Sequence, residues 1–204
     1  MTCSEIIESI AGLSQFGMAV AVGVGVFIAY KQLDSWRDER IAVKKAEVGE
    51  DLISLVSELD TKIRSIRSPM GFGPPKGEDD DGTFDFVGRL RELADLDTEF
   101  TQLRQFKIRR RAFMDSNEVE AAIDVFFDAR SKLYAGLNGM IRQIRGAKRY
   151  GEDFDERAAE RVNRYEEVIW DGYADGDPIK EAIETAVTTI ETQMVPLVRL
   201  EIAK

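Results

Sequence analysis

Apolar positions follow helical spacing along nearly the whole chain. Residues 9–30, SIAGLSQFGMAVAVGVGVFIAY, carry no charge, because charges stop after Glu8 and resume at Lys31. At about 1.5 Å per residue this stretch covers about 33 Å, close to a bilayer's hydrocarbon thickness. It reads as a transmembrane helix over 9–30, behind a short extracytoplasmic N-terminus over 1–8. From Lys31 to Ser68 there is no Pro, and the only Gly is Gly49. Val48, Leu52, Leu55, Leu59, Ile63 and Ile66 fall three or four apart on one helical face. A juxtamembrane amphipathic helix is therefore expected over 31–68, running on from the membrane helix.

The pattern breaks at 69–86, PMGFGPPKGEDDDGTFDF, with three prolines, four glycines and five acids. This is an expected acidic loop. Its acids lack the alternating ligands and the placed Gly and Glu of an EF-hand. A helical bundle is expected over 87–204. Val87, Leu90, Leu93, Leu96, Phe100 and Leu103 mark one helix. Asp115 and Glu118 resemble a capping box opening the next. That helix presents Val119, Ile123, Phe126, Leu133, Leu137, Met140, Ile141 and Ile144 to the core. A shorter amphipathic segment spans about Phe154 to Trp170, where Glu160 and Arg164 stand four apart and can pair. Asp177 reads as an N-cap with Pro178 at the first helical position. Ile179, Ile183, Ala186, Val187, Ile190, Met194 and Leu197 follow as a buried face, and Pro196 should kink or end that helix. No strand run is evident. The fold expected is all-α, a transmembrane helix continuing into a cytosolic four- to five-helix bundle.

Charge sets orientation and location. No Lys or Arg precedes the apolar run, while Lys31, Arg37, Arg40, Lys44 and Lys45 follow it. The N-terminus is therefore expected outside and the C-terminal domain in the cytoplasm. MTCSEIIE has no base and KQLDSW is a poor cleavage site, which argues against a cleaved signal peptide. Tyr30, Lys31, Trp36 and Arg37 are the expected membrane-interface residues. Within the anchor, Gly17, Ala21, Gly25 and Ala29 recur every four residues. Such a stripe lets backbones approach closely in lipid, and a single-pass chain can fill it only with another copy, so a homo-oligomer is expected.

Composition narrows the chemistry. The 204 residues include no His and one Cys, with a net charge of −10. That excludes Ser-His-Asp and Cys-His machinery, an internal disulfide and a histidine-ligated metal. The close carboxylates Glu156 with Glu160, and Glu166 with Glu167, read as surface acids. No phosphate-binding glycine loop is present. No catalytic residue, metal ligand or cofactor is assigned.

The strongest cluster is basic: Arg104, Lys107, Arg109, Arg110 and Arg111 in RQFKIRRR. Arg142, Arg145, Lys148 and Arg149 close the following helix. Residues 86–149 hold thirteen bases against nine acids, and residues 150–204 six against fourteen. Three readings stand: docking of the basic segment on the acidic one, nucleic-acid phosphate, or anionic headgroups.

The order of parts carries a resemblance. Gln32, Leu33, Trp36, Arg37, Glu39 and Arg40 form a QLxxWRxER stretch behind the anchor. A long helix then ends in Arg67, Ser68 and Pro69. In layout the chain resembles uncharacterised bacterial single-pass membrane proteins. It is also similar to the HEPN-like CRISPR-associated membrane pore protein of type VI systems. The resemblance implies a bacterial inner-membrane location and ring-shaped oligomers that perturb the membrane. The HEPN signature needs an Arg followed by a His, and this chain has no His, so the resemblance implies no RNase and transfers no residue. The function expected is a non-enzymatic, homo-oligomeric inner-membrane protein, pore-forming or membrane-perturbing, in antiviral defence. The alternatives are a membrane-tethered module for a cytosolic protein partner, and a tethered RNA or DNA binder using the basic cluster.

Overall fold

The computed structural model describes residues 3–71, 73–77, 80–113, 117–150, 156–172 and 176–199, with backbone alone for 3–17, 19, 110–113, 150 and 156. The fold is all-α. Six helices occur among these residues: α1 Cys3–Arg67, α2 Phe84–Asp95, α3 Asp97–Phe113, α4 Asn117–Tyr150, α5 Glu156–Ile169 and α6 Pro178–Val198. The chain divides into two units, Met1–Lys45 and Ala46–Lys204, and α1 contributes to both.

Unit 1 is the N-terminal part of α1. Its described side chains are exposed on every side of the helix up to Ile41. Among the described residues no helix is long and apolar enough to cross a membrane. Within the uncharged run, the side chains described are Met18 and those from Val20 to Tyr30, a reach of about 20 Å against a hydrocarbon core of about 30 Å. The expected span over 9–17, and Ala19, lies outside the described side chains.

Unit 2 is a helical bundle with one apolar core. The expected α1 face is buried, from Val48 through Leu52, Leu55, Leu59 and Ile63 to Ile66. α4 is the central helix and packs on α6, α5 and α2. Its Val119, Ile123, Phe126, Leu133 and Leu137 are fully enclosed. Directions follow from paired ends. Gly49 of α1 lies against Met194 and Val198 of α6, while Arg67 meets Asp177, so α1 and α6 are antiparallel. α4 and α5 approach closely at two glycines. A Cβ on Gly136 would meet Val168 at 3.2 Å, and one on Gly139 would meet the Tyr165 ring at 2.5 Å.

Three expectations change. The single helix expected from Val87 to Leu103 is broken at Leu96, which ends α2 while its carbonyl already accepts from Phe100. Asp95 and Asp97 flank the break, and aspartate competes with the helical backbone for hydrogen bonds. The apolar register survives because Leu96 and Phe100 both stay buried. The loop ends sooner than expected, since α2 opens at Phe84. On α5, Arg164 Nε donates to the Glu160 carbonyl at 3.4 Å, not to its carboxylate. α6 begins as expected, with Asp177 accepting from the Ile179 and Lys180 N–H groups, and ends two residues beyond Pro196. Asp115 and Phe154 lie outside the described residues.

Candidate functional site

The expected anchor and interface residues sit on the exposed part of α1. Ala21 and Ala29 are exposed, and a Cβ added to Gly25 would meet nothing within 4 Å. At Gly17, only the backbone is described. Around that stripe the surface is apolar in every direction: Val22 is 63% exposed, Val26 65% and Phe27 67%. Tyr30, Lys31, Trp36 and Arg37 are exposed. The Arg40 guanidinium lies 4.1 Å from the Trp36 ring centre, one helical turn on, and steadies the indole on the helix surface.

Of the basic cluster on α3, Lys107 is taken up by acids of α4. Lys107 Nζ lies 2.6 Å from Asp124 and 3.4 Å from Glu120, both on α4. The hydrogen bond that Lys107 donates to Asp124 leads the causes that hold its ammonium above the usual range. Arg104 lies 5.7 Å over the Phe127 ring. Arg109 is exposed and lines a polar groove with Asp51 and Glu58 of α1. Arg110 and Arg111 have side chains outside the described set. The second cluster stands apart from the first, since α3 and α4 are antiparallel: Asp97 pairs with Arg130, and Lys107 with Asp124.

Docking of the basic segment on the acidic C-terminal one is not what the described ion pairs form. Lys107, Arg130 and Arg145 take their acids from α4, α3 and the loop before α2. The acids Glu184 and Asp177 pair with α1, through Arg64 and Arg67. Lys107 and Arg130 meet the acids that the antiparallel α3 and α4 bring to their level, so net charge per segment does not choose the partner.

Sequence reasoning missed a buried polar hub. Arg67 is 2% exposed. Its guanidinium donates to the Val168 and Trp170 carbonyls and pairs with Asp177 at 2.8 Å. Its own carbonyl accepts from the Asp171 N–H. Arg89 is also buried. It pairs with Asp85 at 2.8 Å, donates to the Ile66 carbonyl and lies 4.5 Å over the Trp170 ring. The available signal was positional. Arg89 falls three residues after Phe86 and four before Leu93, on the apolar face of α2.

Burial pushes the Asp177 carboxyl up. Arg67 and the Lys180 and Gly172 N–H groups outweigh it and hold the group below the usual carboxylate range. A depressed folded-state value means stability that is present above about pH 4 and lost as pH falls through the folded value. Glu99, held low first by its hydrogen bond from Lys62, acts with the same sign. The urea midpoint of the chain in mild detergent should thus be flat from pH 7 to about 5 and drop below about 4. In Asp177→Asn it should start lower and drop less. An equal acid drop in both proteins would contradict this assignment.

Among the described residues no group of three or more potential metal ligands occurs. No protein-family model, curated protein or solved structure matches the chain.

Proposed function

We propose that the chain is a membrane-anchored, self-associating protein, with α1 as anchor and unit 2 as the helical module it carries. The observation behind this reading is the apolar surface of α1 from Val20 to Ile28, exposed around the full circumference. A helix apolar on all sides belongs in a protein core or a bilayer, and among the described residues of unit 1 there is no second element to cover it. Each Val, Ile or Phe side chain left in water forgoes about 1.5–3 kcal/mol. The 22-residue uncharged run has the length for a span, and the bases that follow it support a cytoplasmic unit 2. The Gly17, Ala21, Gly25 and Ala29 stripe supports packing against further copies. Any pore formed by so apolar a helix would gate by dewetting, without a polar lining.

The test is carbonate-washed membrane flotation of wild type and Val24→Arg, followed by particle mass in nanodiscs for wild type and Gly25→Leu. Wild type should float, and Val24→Arg should lose most of its membrane fraction, since a central Arg costs about 2.5–3.5 kcal/mol on insertion. Gly25→Leu should reduce a discrete oligomer to smaller species. A wild type extracted by carbonate as a water-soluble oligomer would sink the membrane reading. A monomer in nanodiscs would sink self-association.

A further inference from the structure

We propose that the C-terminal end of α4 binds the phosphate backbone of single-stranded nucleic acid. Arg142, Arg145, Lys148 and Arg149 are exposed there and border a groove of about 600 Å³ together with Ile141 and Gly146. Arg145 is tied to the loop before α2, with Asp81 at 3.1 Å and Thr83 Oγ1 at 3.3 Å. Arg142, Lys148 and Arg149 have no hydrogen-bond or ion-pair partner among the described residues.

Among the described residues these cations outnumber the acids beside them. The carbonyl end of a helix carries about half a negative charge. Asp81 supplies one more. Four cations within two turns of helix exceed that, and like charges at helical spacing repel; the acids Glu152, Asp153, Asp155 and Glu156 that follow in the sequence lie outside the described side chains.

The surface has a shape suited to a strand. Gly146 lies between Arg142 and Arg149, and a Cβ there would meet nothing within 4 Å, so a ligand can reach the helix backbone. Tyr134, Asn138, Arg142, Arg145 and Arg149 follow one another at steps of four or three, hence along one face. Tyr134 is 61% exposed, and Asn138 Nδ2 donates to its carbonyl at 2.9 Å. An exposed aromatic ring in line with a basic track is the combination that holds a single strand, by stacking a base and following the backbone.

The exposed Tyr134 ring in line with the bases favours nucleic acid over a lipid headgroup, since a base can stack on it. The groove lies at the Arg67 end of the unit, because Arg145 holds the loop that leads from α1 to α2. The proposal does not depend on the membrane reading.

The probe is a fluorescein-labelled oligouridylate of twenty nucleotides, titrated with the full chain in neutral-lipid nanodiscs and followed by anisotropy between 50 and 200 mM salt. Wild type should bind with steep salt dependence. Arg142→Ala/Lys148→Ala/Arg149→Ala should weaken binding at least tenfold and flatten the log–log salt slope by about two, at about 0.7 per phosphate contact. All three side chains are exposed and unpaired among the described residues, so the variant should keep the wild-type melting temperature. Tyr134→Ala should weaken binding with the slope unchanged. Absent wild-type binding overturns the proposal, as does a triple variant that binds like wild type. Loss of binding in Arg104→Ala/Arg109→Ala alone would place the site on α3 and overturn it too. Capture of phosphatidylglycerol vesicles through the same cations, with no oligonucleotide binding, would assign the groove to lipid and reject it.

Discussion

Arg67→Ala is expected to cost the bundle about 3–5 kcal/mol, because it strands Asp177 as an uncompensated buried charge. The side chain of Arg67 is 2% exposed and that of Asp177 4%. The substitution also leaves the Val168 and Trp170 carbonyls without their donor. At about 2–4 °C per kcal/mol for a chain of this size, melting should fall by on the order of 10 °C. Circular dichroism of the protein in mild detergent would read it. Arg67→Met/Asp177→Ser should lose much less, since no charge is stranded and Ser keeps the N-cap of α6. A single variant within 1 kcal/mol of wild type would show that the hub is not structural.

Phe100→Ala is expected to cost a similar amount, about 3–5 kcal/mol, through the cavity left by a buried ring. Phe100 is 1% exposed at the start of α3. Its ring centre lies 5.5 Å from that of Phe127, and the Arg130 guanidinium lies 4.6 Å above it. The truncation removes an aromatic pair and a cation–π contact together with the volume. Phe100→Leu keeps most of the volume and should cost less than half as much in the same melts. Equal losses in the two variants would contradict a volume-driven effect.

Much of the helix inventory was legible because a packed helix needs apolar residues every three or four positions. The buried faces of α1, α4 and α6 were read on that spacing alone. The N-cap of α6 was read from Asp177 followed by Pro178. The break at Leu96 was not read, because the apolar register runs through it unchanged. The hub was not read because Arg67 and Asp177 are 110 positions apart in the sequence and meet only when α1 and α6 pack antiparallel. Of the candidate surfaces, the apolar run on α1 was plain from its lack of charge.

The two basic clusters were equally visible in the sequence, and antiparallel helices were expected to keep them apart; only the tertiary structure showed which of their cations meet an acid. The sequence by itself determined helix positions, the all-α class and the uncharged run, because these depend on local periodicity and on composition. Folding decided which cations are occupied. Antiparallel packing sets Asp124 and Glu120 against Lys107, while α4 carries Arg142, Lys148 and Arg149 to a place with no acid beside them among the described residues. Ion pairing depends on distance in space, and the distance between residues far apart in the sequence is set by how the helices pack.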